Sequence, residues 1–77
     1  MSHTQKTQLE KANEILTVEL YENVTAADRQ AARSELEVSE FTVVQYLRGR
    51  GKRTDTAVRL VDFFRKRIER RETKLMP

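Results

Sequence analysis

The sequence predicts an all-α protein, a small domain of four helices. Three observations carry that prediction. The chain is rich in Glu, Lys, Arg, Ala and Leu, which are strong helix formers. Its only glycines are Gly49 and Gly51 and its only proline is Pro77, so little interrupts a helix before residue 49. Apolar residues recur at spacings of three and four, the period of a helix with one buried face.

The first helix is predicted from about Thr7 to Asn23. Leu9, Ala12, Leu16 and Leu20 make one stripe, and Ile15 and Val18 widen it beyond what a small core needs. Thr25 caps the second helix, with Asp28 three residues on in the pattern of a capping box. That helix runs to about Leu36, and Ala27, Ala31 and Ala32 form a small-residue inward side. Ser39 caps a short third helix that ends at Gly49, its C′ residue, with Val43, Tyr46 and Leu47 inward. Thr54 caps the fourth, expected over about residues 55–71, where Ala57, Leu60, Val61, Phe64 and Ile68 form the buried stripe. Arg59, Arg65, Lys66 and Arg70 lie around its other side, and Arg70 with Arg71 suits the negative end of its dipole.

At 77 residues the chain reads as one domain, 1–77, with a small and mostly aliphatic core. It has no cysteine and a single histidine, His3, which excludes disulfides, thiol chemistry and any His/Cys zinc site. No metal and no cofactor are expected. Glu10, Glu14, Asp62 and Glu69 fit solvated helix faces, and no nucleophile and base converge, so the protein is expected not to be an enzyme. No apolar run nears the roughly 20 residues that span a bilayer, and no signal-peptide segment opens the chain. A soluble, cytoplasmic protein without a membrane partner is expected.

Charge is distributed unevenly. Residues 1–23 carry two Lys against four Glu, residues 24–47 two Arg against four acids, and residues 48–77 eleven Lys and Arg against four acids. The first two stretches therefore balance at −2 each and the last at +7, which argues for an anionic partner.

The segment Leu36-Glu-Val38-Ser39-Glu-Phe-Thr42-Val43 resembles the core of the helix-turn-helix DNA-binding family, as in lambda-repressor-like domains and lac-repressor-like headpieces. Ala32, Leu36, Val38, Val43 and Tyr46 fit its buried positions. Gly49, Thr54-Asp-Thr-Ala57, Leu60-Val61 and Phe63-Phe64 resemble the glycine, cap and apolar helix that follow the recognition helix. The likeness covers about residues 26–64. It implies a helix-turn-helix over about 26–48, a basic loop over 48–54, and a third helix that enters a DNA major groove. Arg33 stands where the family has Ala, so its stem must lie along the surface with its head in water. Glu37 stands where the turn has Gly, which puts a non-glycine residue in a left-handed conformation at a cost of about 1 kcal/mol.

On the third helix Phe41, Gln45 and Arg48 share the side opposite Val43, Tyr46 and Leu47. Gln45 has the donor and acceptor that match adenine N6 and N7, and Arg48 suits guanine or phosphate. Phe41 can meet a thymine methyl, or pack in a core or dimer interface. Glu40 either accepts from cytosine N4 or tunes the helix start. Ser39 and Thr42 can donate to phosphate, although capping alone explains Ser39. Arg50, Lys52 and Arg53 make a basic loop suited to backbone contacts, with a solvated loop as the plainer reading. The expected function is sequence-specific binding of double-stranded DNA by a small homodimeric transcriptional regulator of phage or mobile-element repressor type. Ile15 with Val18, or Val58 with Phe63, are the candidate dimer surfaces. The alternatives are a helical protein–protein interaction module and a nonspecific nucleic-acid-binding protein, which needs only the +7 half.

Overall fold

The computed structural model describes residues 7–75, with side chains through residue 71; His3 lies outside the described residues. All of the regular structure among them is helical, in the order the sequence predicts. No described helix is long and apolar enough to cross a membrane.

Thr7 opens the chain's first helical run with a capping box: its hydroxyl accepts the Glu10 amide at 3.1 Å, and the Glu10 carboxylate accepts the Thr7 amide at 2.9 Å. The run reaches Asn23 as expected, but it is not one α-helix. Helix α1 (Gln8–Glu14) passes into a π-helical segment, Ile15–Leu20, and then a 3-10 turn, Tyr21–Asn23. The residues it buries, with Val24 just beyond, explain why. Ala12, Leu16, Leu20 and Val24 fall at every fourth position. In a 3.6-residue turn each such step drifts by about 40°, whereas the wider i→i+5 turn takes up the drift and keeps the stripe on the core. Thr17 donates its hydroxyl to the carbonyls of Asn13 and Glu14 at this join, a backbone contact that threonine makes readily.

Helix α2 (Ala26–Leu36) begins at the expected Thr25–Asp28 capping box. Its inward side differs from the expected row of alanines. Ala27 is exposed and Ala31 half-buried, while Asp28 and Ala32 are fully buried. The inward stripe is therefore Asp28, Ala32 and Leu36, and it starts with an acid. That acid is enclosed by α4: Arg67 Nε donates to it at 2.7 Å, and Arg71 Nη1 meets its two oxygens at 2.8 and 2.7 Å. Burial by itself raises the pKa of Asp28. The hydrogen bonds from Arg67, the Thr25 amide and Arg71, with the charge of Arg71, outweigh it and hold the carboxyl at about 2.

Helix α3 (Glu40–Leu47) is short, and helix α4 (Thr54–Leu75) is long. Thr54 is the first residue of α4 rather than its cap, and the Ala57 amide donates to the Arg53 carbonyl at 3.0 Å. Because α4 continues to Leu75, Arg70 and Arg71 are not its last turn. Arg71 instead donates to the Asn23 carbonyl at 2.7 Å, at the end of the first helical run, where a cation complements another helix's dipole. Leu16, Val43, Leu60 and Phe64 form the fully buried centre of the core, joined by Tyr46, Leu47 and Val61. Leu36, Val38 and Ile68 are half-buried against it.

Candidate nucleic-acid interface

The candidate site is built on α2, a three-residue turn and α3. Glu37 ends α2 with φ 56° and ψ 48°, the left-handed conformation its position demanded. Its amide, and that of Val38 at 3.3 Å, return to the Arg33 carbonyl and close the helix end. Arg33 is exposed, as expected, and its guanidinium reaches across the turn to Glu40 at 3.2 Å. Ser39 accepts the Thr42 amide at 3.1 Å and donates its own proton to the Thr42 hydroxyl at 3.0 Å. Both groups therefore serve the start of α3, and the Thr42 hydroxyl keeps its proton to donate outward.

The other end of α3 is fixed as firmly. Arg48 is the terminal residue, Gly49 follows with φ 78°, and the amides of Gly49 and Arg50 donate back to Tyr46 and Gln45 at 3.0 and 2.9 Å. This is a Schellman closure, which needs a glycine at the left-handed position. The chain then runs over the buried Tyr46 ring. A Cβ on Gly51 would collide with that ring, so glycine is required here for close approach rather than for conformational freedom. The Arg53 amide donates to the Tyr46 hydroxyl at 2.9 Å, and the Asn13 side-chain amide donates to the Gly51 carbonyl at 3.1 Å. The basic loop is tethered to the core at both Gly51 and Arg53.

Between α3 and this loop lies a cleft of about 710 Å³. Ser39, Phe41, Thr42 and Gln45 line one side, and Arg50, Lys52 and Arg53 line the other. Seven of the nine residues expected to meet DNA thus share one concavity. Phe41 is 71% exposed, which removes the core reading for it. Glu40 and Arg48 are the two that do not line the cleft. Glu40 faces Arg33 on the α2 side, and Arg48 is exposed at the C-terminal cap of α3.

Pairing sorts the cations around the site. Arg53 meets Asp55 only at 3.6 Å, with both side chains largely exposed, a geometry of little energetic weight. Among the described residues Arg48, Arg50 and Lys52 make no ion pair. No group of three or more His, Cys, Asp or Glu among the described residues is placed to hold a metal ion. Sequence reasoning missed the tethers on the loop. Two glycines flanking Arg50 were visible, but their service to the Tyr46 ring and to Thr17, 2.9 Å from a Cβ at Gly49, depends on the packed fold.

The chain matches no protein-family model, no curated protein and no solved structure.

Proposed function

We propose that this protein binds double-stranded DNA sequence-specifically, as a small transcriptional regulator of repressor type. One observation carries the reading: the outer side of a short helix, with Phe41 exposed and Gln45 half-buried, and a tethered basic loop face each other across a single cleft. Gln45 and Phe41 supply groups for base edges, and Arg50, Lys52 and Arg53 supply cations for the flanking phosphates. Holding the loop in place before binding lowers the ordering cost of those phosphate contacts. One such domain makes a small footprint, so the protein acts as a homodimer on a two-fold site. Its partner surface is the first helical run, where Val18 is 78% and Tyr21 53% exposed, whereas Ile15 and Phe63 are partly covered by the core.

The exposed Phe41 also favours a second reading, in which the cleft receives an apolar segment of a protein partner. Selection of bound sequences from a random duplex pool, followed by binding isotherms at several salt concentrations, separates the two. Under the DNA reading, Lys52→Ala weakens every duplex and flattens the slope of log K against log salt by about one. Gln45→Ala leaves that slope nearly unchanged and costs about 1–3 kcal/mol at one preferred base pair. Equal weakening of selected and scrambled duplexes by Gln45→Ala moves the function to nonspecific nucleic-acid binding. No salt-sensitive binding of duplex at all leaves the protein-interaction reading.

A further inference from the structure

Helix α4 carries cations on two sides, and internal pairing accounts for only one of them. Arg65 meets Glu19 at 2.7 Å, and Arg67 and Arg71 enclose Asp28. Arg67 also lies 5.7 Å from the Phe63 ring. The outer side carries Thr56, Arg59, Phe63, Lys66 and Arg70, at alternating steps of three and four that keep them in line along the helix. Arg59, Lys66 and Arg70 are all exposed. Among the described residues Arg59 and Arg70 make no ion pair. Lys66 meets Asp62 at 3.1 Å, with side chains 65% and 63% exposed, and such a surface pair holds its lysine weakly.

The stripe is continuous with the cleft. Thr56 belongs to the cleft lining, and Arg59, Phe63, Lys66 and Arg70 line the next groove, of about 360 Å³. Leu36, with Glu35, closes that groove from the end of α2, and the adjoining Glu37 lines the cleft, so the two concavities meet at the turn. Two acids, Glu35 and Asp62, share the groove with the cations.

We propose that Arg59, Lys66 and Arg70 form a second, sequence-independent contact to the phosphates of the same duplex, beyond the segment met by α3 and the basic loop. The proposal rests on the DNA reading above. The first and last of these cations, Arg59 and Arg70, are eleven positions apart on α4, a span of about 16 Å on a rigid helix. At about 3.4 Å of rise per base pair, that span measures roughly five base pairs along the duplex axis. A straight row of cations that begins at a phosphate-binding loop fits a continuing phosphate backbone, and it adds affinity without adding base specificity.

The test uses the full chain on mixed-sequence duplexes of about one and two helical turns, roughly 10 and 20 base pairs, with binding followed by fluorescence anisotropy across a salt series. The variants are the triple R59Q/K66Q/R70Q and the loop double R50Q/K52Q, both checked for folding by circular dichroism; glutamine preserves helix propensity on α4. On the longer duplex the triple variant should flatten the salt slope by about two to three and lower affinity at least tenfold at low salt. On the shorter duplex both changes should be much smaller, while the loop variant weakens both lengths. An unchanged slope for the triple variant on the longer duplex overturns the proposal, and so does an equal loss at both lengths, which marks a general field effect. If the wild-type protein binds neither duplex, the DNA reading itself fails and the stripe fails with it. If the triple variant loses length-dependent binding while the loop variant loses nothing, the stripe stands and the cleft reading falls.

Discussion

Asp28 has no solvent contact, yet its carboxylate is fully engaged by the Thr25 amide and by two arginines from a helix some forty residues away. Its pKa is held below the ordinary carboxylate value of 3.8, at about 2. A depressed carboxylate stabilises the fold at every pH above its unfolded pKa, and that stabilisation fades as pH falls from about 4 toward 2. The displacement corresponds to about 2 kcal/mol at neutral pH. Asp28→Asn removes the charge that both arginines face, so we expect a loss of about 2 kcal/mol at pH 7. Urea denaturation of both proteins between pH 7 and 2.5 should show the wild-type advantage shrinking to about a third of its neutral value at the acid end. An advantage that stays constant with pH would show that Asp28 acts through packing rather than through its charge. Glu37 is the other residue with an unusual state. Its left-handed backbone costs about 1 kcal/mol, and that cost is inherent in a three-residue turn without glycine.

Among the elements, α3 and the loop after it act as one unit. A helix of eight residues is too short to be stable alone, so its direction depends on the Ser39 cap, the Gly49 closure and the burial of Val43, Tyr46 and Leu47. Tyr46 then carries the loop, with Gly51 against its ring and the Arg53 amide on its hydroxyl. A methyl group at Gly51 cannot be accommodated without moving the chain off the ring. Gly51→Ala is therefore expected to destabilise the protein by about 1–3 kcal/mol, as overpacking does. It should also weaken duplex binding more than Lys52→Ala does, because it displaces all three loop cations together. Thermal unfolding and anisotropy on one preparation check both effects. Wild-type affinity in a Gly51→Ala protein would mean that the position of the loop does not matter for binding.

At the scale of the molecule, folding separates the cations by role. Arg65, Arg67 and Arg71 bind α4 to the first helical run and α2, while Arg50, Lys52, Arg59 and Arg70 remain on the outside without ion-pair partners among the described residues. The apolar surplus is distributed as unevenly. Val18 and Tyr21 stand exposed on the first helical run, and Val58, at 36%, is the lesser exposure on α4. Val18→Glu should leave the monomer's helicity and thermal midpoint nearly unchanged, since the side chain touches little of the core. It should turn a sedimenting dimer into a monomer and weaken binding to a two-fold duplex more than to a half-site. A wild-type protein that is monomeric both alone and on DNA would remove the dimer from the proposed function and leave the single-domain contact.

The all-helical class, the four helical regions and most of the buried stripes were legible in the residues, because caps, glycines and three-and-four spacing are local signals read within one or two turns. The capping box at Thr25 and the C′ role of Gly49 are of that kind. Tertiary structure decided what depends on a partner distant in sequence. The burial of Asp28 required Arg67 and Arg71, and with them α2 turned Ala27 outward. The π-helical segment arose because the core demands a contact at every fourth residue, a period that no isolated α-helix supplies. The cleft, too, depends on Tyr46 and Asn13 holding a loop whose sequence alone reads as basic and solvated. Short-range preferences set the elements; long-range hydrogen bonds and ion pairs, absent until the chain is packed, set which residues face one another.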